Sequence, residues 1–244
     1  MILSLAVLLQ LTMIVPLLAA VGLLVFRRQP NIREAVTLIA GVVLFVLVLQ
    51  LYANYQRNLI ANVHWLEILP GLVLSFRVEA LSLMFALIAS LLWPVTTLYA
   101  IGYMRAHEEE NQTRFYLCFA LAIAATMAIC FSANLFTLFI FYELLTLSTY
   151  PLVTHAGTEE AKRGGRTYLG ILLSTSIVFF LLAIIVTWVY AGTLDFLPGG
   201  LFTDATPQWV LSVLLVLFFF GVGKAALMPF HRWLPAAMVA PTPV

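Results

Sequence analysis

Charge is what this chain has least of. Of 244 residues only 12 are Lys or Arg and 11 are Asp or Glu, 9% in all, and the formal net charge is +1. Soluble domains carry about 25% charged residues, so this sequence cannot furnish a water-facing shell. It also lacks the dense basic runs that would draw a nucleic acid. Cysteine is nearly absent. Cys118 and Cys130 lie in one apolar run and, on a helix, would stand about 18 Å apart, too far for a bridge, so they read as small buried hydrophobes. No GxGxxG loop after a strand, CxxC cluster, HExxH pair or nucleophile elbow occurs, so nicotinamide, iron–sulfur and zinc chemistry find no seat here and no cofactor or metal is expected. Any oxidoreductase activity would belong to partner subunits.

Hydrocarbon is what the chain has instead: 63% of its residues are hydrophobic and its mean hydropathy is +1.05. That is the composition of an integral membrane protein, whose partners are lipid and other membrane proteins. A span needs about 20 apolar residues. Charge-free windows of that order cover 2–26, 35–56, 80–104, 167–194 and 205–223. The first is too long for a signal h-region and has no basic residue before it, so it reads as a retained span. The window 115–154 would be about 60 Å long as one helix, so it is two spans, with Ser132-Ala133-Asn134 as the capped turn between them. The expected fold is therefore all-α, a polytopic transmembrane helix bundle of about seven spans.

Nine of the twelve basic residues, Arg27, Arg28, Arg33, Arg105, Arg114, Lys162, Arg163, Arg166 and Arg232, fall in the loops of one side, against Arg57 and Arg77 on the other. By the positive-inside rule the N-terminus faces the exterior of a cell (plasma) inner membrane. The acidic run Glu108-Glu109-Glu110 then lies in a cytoplasmic loop and reads as a solvated face. Residues 57–78, interrupted by His64, Glu67, Pro70 and Gly71, fit an exterior hairpin or interfacial segment better than an eighth span. The chain thus divides into two N-terminal transmembrane helices (1–56), that segment (57–78) and a bundle of spans three to seven (79–244).

Two ionisable residues stand inside spans. Glu143 is the only Asp, Glu, Lys, Arg or His between Phe115 and Thr154. It is about 13 Å along the helix from Asn134 and about 18 Å from His155, hence near the midplane. Thr146 and Tyr150, at i+3 and i+7, share its face and make a polar stripe. Lys224 is the second. Gly221 and Gly223 precede it and Pro229 follows it, the composition of a helix that breaks near the midplane, as in transporters. A lone charge there costs between about 2.5 and well above 10 kcal/mol, so such residues tend to face a polar interior and to mark ion paths. The plain alternatives are a neutral Glu acting as interhelical glue and a lysine whose stem snorkels towards the Arg232 side. If the two residues face each other, each charge stabilises the other, and separating them releases a proton: a switch made of two titrating groups.

These residues lie in stretches that resemble a known family. FRVEALSLMF, YAIGYM, RFYLCFALAIAATMAICFSANLFTLFIFYELLTLSTYPLV and GKAALMPFHRWLPAAMVAPTPV are similar to the antiporter-like membrane subunits of proton-pumping NADH:quinone oxidoreductase (complex I), membrane-bound hydrogenases and Mrp multisubunit sodium/proton antiporters. The ending resembles the hydrogenase type and the D-like Mrp type in particular. The resemblance implies that Glu143 is the glutamate of the fifth helix and Lys224 the lysine of a broken seventh helix, the pair through which protons pass, and that the N-terminus is outside. Glu79 stands where the family usually has Asp, with helix capping at least as good a role as an ionic one. His231 would have an interfacial or access role; His155 and His64, in loops, receive none. In this family APTPV precedes an eighth helix with a further buried lysine or histidine and then an inverted repeat, so residues 1–244 correspond to the N-terminal portion of a longer subunit or to half of a split one. The implied function is proton translocation inside a larger complex, with protons, alone or together with sodium or potassium, as the candidate ions. The alternative is a structural membrane scaffold without its own ion path.

Overall fold

The computed structural model describes residues 4–69, 71–203 and 206–244. Ile2 and Leu3 of the first window, Pro70 of the 57–78 segment and Ala205 of the last window fall outside them. Helices α1 (Leu5–Val25) and α2 (Pro30–Tyr55) are followed by strands β1 (Asn62–Leu69) and β2 (Leu72–Arg77). Then come α3 (Ala80–Ala106), α4 (Gln112–Cys130), α5 (Leu135–Val153) and α6 (Glu159–Thr175). A π-helical turn, Ser176–Leu181, joins α6 to α7 (Leu182–Ala191) as one apolar span of 33 residues. The chain ends with α8 (Gln208–Gly221), two 3₁₀ turns and the short α9 (Trp233–Ala237).

Among the described residues six helices are long and apolar enough to cross a membrane; α8 has only 14 residues. At 1.5 Å per residue α8 covers about 21 Å, short of the hydrocarbon thickness, and irregular chain follows it. The outward faces of the helices carry Leu18, Leu81, Leu98, Val189 and Leu215, as a lipid-facing surface requires. Inside, α1 to α4 share a core of Leu9, Leu23, Leu44, Trp93, Met104, Phe115, Met127 and Phe131, all 1% exposed or less. Both cysteines are free, on α4.

The polar loops sort into two ends. At one, Arg105 Nε donates to Glu34 (3.1 Å), and Arg33 donates to Thr113 Oγ1 (3.0 Å) and Gln112 Oε1 (2.7 Å). These bonds tie the starts of α2 and α4 to the end of α3. Arg33 and Glu34 are buried rather than solvated, because α2 begins a turn earlier than its apolar window, at Pro30, a residue suited to the first helical position. At the same end Arg114 donates to the His155 carbonyl (2.8 Å).

The opposite end is built around the hairpin. β1 and β2 pair antiparallel, Val63 opposite Phe76 and His64 opposite Ser75, so His64 stands in a strand rather than a loop. Asn134 caps α5 by accepting from Thr137 N (2.7 Å), and its amide donates to Val73 O and Ser75 Oγ, both 2.8 Å. Ser75 N donates to Thr137 Oγ1 (3.1 Å), Ala133 N to Ser75 O (2.9 Å) and Arg77 N to Phe131 O (2.7 Å). The 193–196 stretch closes over the same turn through Leu135 N to Leu194 O and Phe196 N to Ala133 O, both 3.0 Å. Asn134 thus serves as helix cap and as buried donor. Asn134→Ala removes both roles and is expected to destabilise by about 2–3 kcal/mol, the sum of a lost cap and lost buried bonds. A denaturant titration in detergent that moved by less than about 0.5 kcal/mol would contradict it.

Candidate functional site

The site lies where α8 stops. Gly221 is its last residue; Val222 leaves helical geometry, Gly223–Ala225 form a 3₁₀ turn and Ala226 is left-handed (φ 52°). Two features drive the break. Pro229 follows on the next stretch of chain and cannot continue a helical hydrogen-bond ladder. The glycines let the chain run against the π-helical turn: a Cβ on Gly221 would meet Phe180 backbone atoms at 2.8 Å, and one on Gly223 would collide with the Thr175 hydroxyl. π-helical turns of this kind are frequent at functional sites.

A broken helix frees backbone groups that must find other partners inside a membrane. Here side chains supply them. Lys224 N donates to the Tyr142 hydroxyl (3.1 Å), and Trp233 Nε1 donates to Gly223 O (2.9 Å). The Lys224 ammonium donates to Tyr142 O (2.8 Å) and Thr146 Oγ1 (2.7 Å) and lies 3.3 Å from the centre of the Tyr142 ring. Thr146 Oγ1 in turn donates to Tyr142 O (3.1 Å). One turn on, Thr149 Oγ1 shares a 2.7 Å hydrogen bond with the Tyr168 hydroxyl of α6. Tyr168 stacks edge-on with Trp233. Lys224, Thr146, Thr149, Tyr168, Trp233 and Gly223 therefore close a ring of side chains and backbone around the break.

Glu143 stands next to this ring, outside its bonds. Both of its carboxylate oxygens are enclosed and neither has a hydrogen-bond partner. The Lys224 ammonium donates to Tyr142 O and Thr146 Oγ1 instead, and no direct ion pair with Glu143 forms. Thr146 is brought to Lys224 as well as sharing a face with Glu143. Tyr150 lies away from both and packs its ring against Gly165 of α6. Glu79 precedes α3 without a capping hydrogen bond and pairs instead with Arg77, which donates to it (2.8 Å, from Nε) and to Phe196 O (2.7 Å). Of the two roles open to Glu79, the structure forms the ion pair, with Arg77 two residues earlier, and no side-chain capping bond. His231 is exposed, in the 3₁₀ turn Phe230–Arg232, and joins neither group.

Three participants escape a reading of the sequence centred on Glu143: Tyr142, Tyr168 and Trp233. Tyr142, Thr146 and Thr149 stand at i, i+4 and i+7 and form a polar stripe of their own, the one signal available beforehand. His155, which its loop position leaves without a role, is also buried, just beyond α5. Its imidazole lies 3.9 Å from Glu109, and neither ring nitrogen has a hydrogen-bond partner. Burial holds it below the usual histidine range, Arg114 adds to that, and Glu109 opposes it.

Known proteins resemble this chain in sequence and in fold. Residues 132–244 match the family described as NADH:quinone oxidoreductase/Mrp antiporter, transmembrane, and residues 65–116 match the N-terminus of NADH-ubiquinone oxidoreductase (complex I) chain 5. The chain is 29% identical over 218 residues to the antiporter subunit mnhA2 of Staphylococcus saprophyticus, covering 86% of this chain and 26% of that protein. It is 31% identical over 165 residues to hydrogenase-4 component B of Escherichia coli, covering 67% and 24% respectively. It thus spans about a quarter of the curated relatives it matches. Its fold superposes, with a TM-score of 0.83 and 20% identity, on a chain of the membrane-bound sulfane sulfur reductase, an archaeal respiratory membrane complex, over 96% of this chain and 48% of that one. The hairpin from Trp65 onward, the capped α5 and the interrupted α8 fall within the matched segments, and the chain belongs to the antiporter-like membrane subunits of the complex I, hydrogenase and Mrp antiporter family.

Proposed function

We propose that this chain moves protons as part of a membrane subunit in a multisubunit complex, and that Glu143 and Lys224 carry them. One observation supports this above the rest. The Lys224 ammonium is seated at a helix break on Tyr142 and Thr146, the residues that flank Glu143 on α5, while the Glu143 carboxylate next to it has no hydrogen-bond partner. No direct ion pair joins the two groups in this arrangement. Swinging the ammonium onto the acid would favour the carboxylate, and withdrawing it would favour the protonated acid. The proton occupancy of each group is thereby tied to where the lysine sits. The ring of Thr146, Thr149 and Tyr168 hydroxyls leads from Lys224 towards the end that carries Arg114 and His155, a direction from which protons would arrive if that end is cytoplasmic.

The partners are then other membrane subunits of a complex I-, hydrogenase- or Mrp-type assembly in the plasma membrane, and the ions moved are protons, alone or in exchange for sodium or potassium. Against this stands the scaffold reading, in which Glu143 and Lys224 only hold helices together. Replacing Glu143 by Gln within the assembled complex separates the two. Proton movement collapses if the acid carries protons and continues if it is glue.

A further inference from the structure

The residue that does most at the break is not one of the two that titrate there. Tyr142 meets Lys224 at three points: its hydroxyl accepts the Lys224 backbone N–H (3.1 Å), its carbonyl accepts the ammonium (2.8 Å), and its ring face lies 3.3 Å below that ammonium. The ring is itself wedged edge-on against Phe180 of the π-helical turn. Each contact answers a separate need. The N–H of Lys224 is an orphan of the break and has no helical acceptor, which inside a membrane is costly. The ammonium needs acceptors and a negative surface, and an aromatic face within about 6 Å provides the latter. Among the common side chains only tyrosine combines an aromatic face with a hydroxyl acceptor at that reach.

Tyr142 immediately precedes Glu143, and successive residues of a helix point about 100° apart. We propose that Tyr142 is a positioning residue: its hydroxyl latches the α8 break at Lys224 while its ring and carbonyl seat the ammonium, holding Lys224 about a quarter-turn of α5 away from Glu143. This rests on the reading of Glu143 and Lys224 as proton carriers. α5 then bears both the acid and the resting place of its partner. For the ammonium to reach Glu143 it leaves the Tyr142 ring and sweeps around the helix, while the hydroxyl latch keeps the backbone of the break in place as a pivot.

Tyr142→Phe dissects the arrangement, since it keeps the ring and the carbonyl and removes only the latch. Two measurements on the assembled complex test it. The first is hydrogen exchange by mass spectrometry over peptides spanning 222–228; the second is the rate at which NaCl or KCl pulses collapse a preformed pH gradient, followed with acridine orange in everted vesicles. With subunit abundance unchanged, exchange at the break is expected to speed up about ten-fold, the worth of one lost hydrogen bond. The maximal transport rate should fall about three- to ten-fold with the apparent KM for the cation unchanged. A merely structural role would lower abundance without splitting rate from KM. Unchanged amide exchange overturns the latch, whatever transport does. Faster exchange with normal transport, in vesicles where Glu143→Gln abolishes transport, overturns the positioning role. Normal transport in both variants removes the proton-carrying reading itself, and the proposal with it.

Discussion

Glu143→Gln is expected to reduce proton movement through the assembled complex by about 10²-fold or more, the scale of a lost proton-transfer group, while the subunit still inserts. Gln has nearly the shape of Glu and cannot hold a labile proton. The position tolerates it because the carboxylate makes no hydrogen bond that the amide would break. What Gln adds is an unpaired N–H₂ in the same enclosed space, a cost of about 1–3 kcal/mol, small enough for the bundle to assemble but large enough that abundance must be measured beside transport. Cation-pulse or respiration-driven pH gradients in everted vesicles give the reading. Wild-type transport at wild-type abundance would end the proton-carrier account and leave a scaffold.

Lys224→Arg is the second large effect, and it separates charge from proton lability. An arginine keeps a cation at the break and offers at least as many donors to Tyr142 O and Thr146 Oγ1, but its guanidinium never gives up its proton in a protein. If Lys224 carries protons, transport falls about 10²-fold although the charge is retained; if it only supplies a positive field, transport persists. Lys224→Met complements this by removing the charge and keeping the stem. The acceptors it leaves are not stranded, because Thr146 Oγ1 already donates to Tyr142 O, so the Met variant should insert normally and be as inactive as the Arg variant. An active Met variant would exclude Lys224 from the path altogether.

Much of this architecture can be read from residues because a membrane imposes few solutions. Hydropathy marks the spans, and Asn134 announces its own cap. Gly221, Gly223 and Pro229 announce a break at Lys224. What escapes is direction. Nothing in the local sequence says from which side the broken chain approaches α5, and that approach makes Tyr142, rather than Tyr150, the contact to Lys224. Arg33 and Glu34 escape for a different reason. As charges flanking an apolar window they look solvated, yet α2 extends back past them and Arg105, Gln112 and Thr113 enclose them. A hairpin over 57–78 is among the expectations, but its docking on the start of α5 is not legible, since it rests on the distant Asn134 and Thr137.

That hairpin has a mechanical consequence. Gripped at its first turn by Val73, Ser75 and Leu194, α5 cannot slip along its axis without tearing several enclosed bonds at once. If Glu143 and Lys224 carry protons, the acid and the tyrosine perch are mounted on a stator, and the travelling part is the Lys224 side chain alone, swinging from a backbone that the Tyr142 hydroxyl holds.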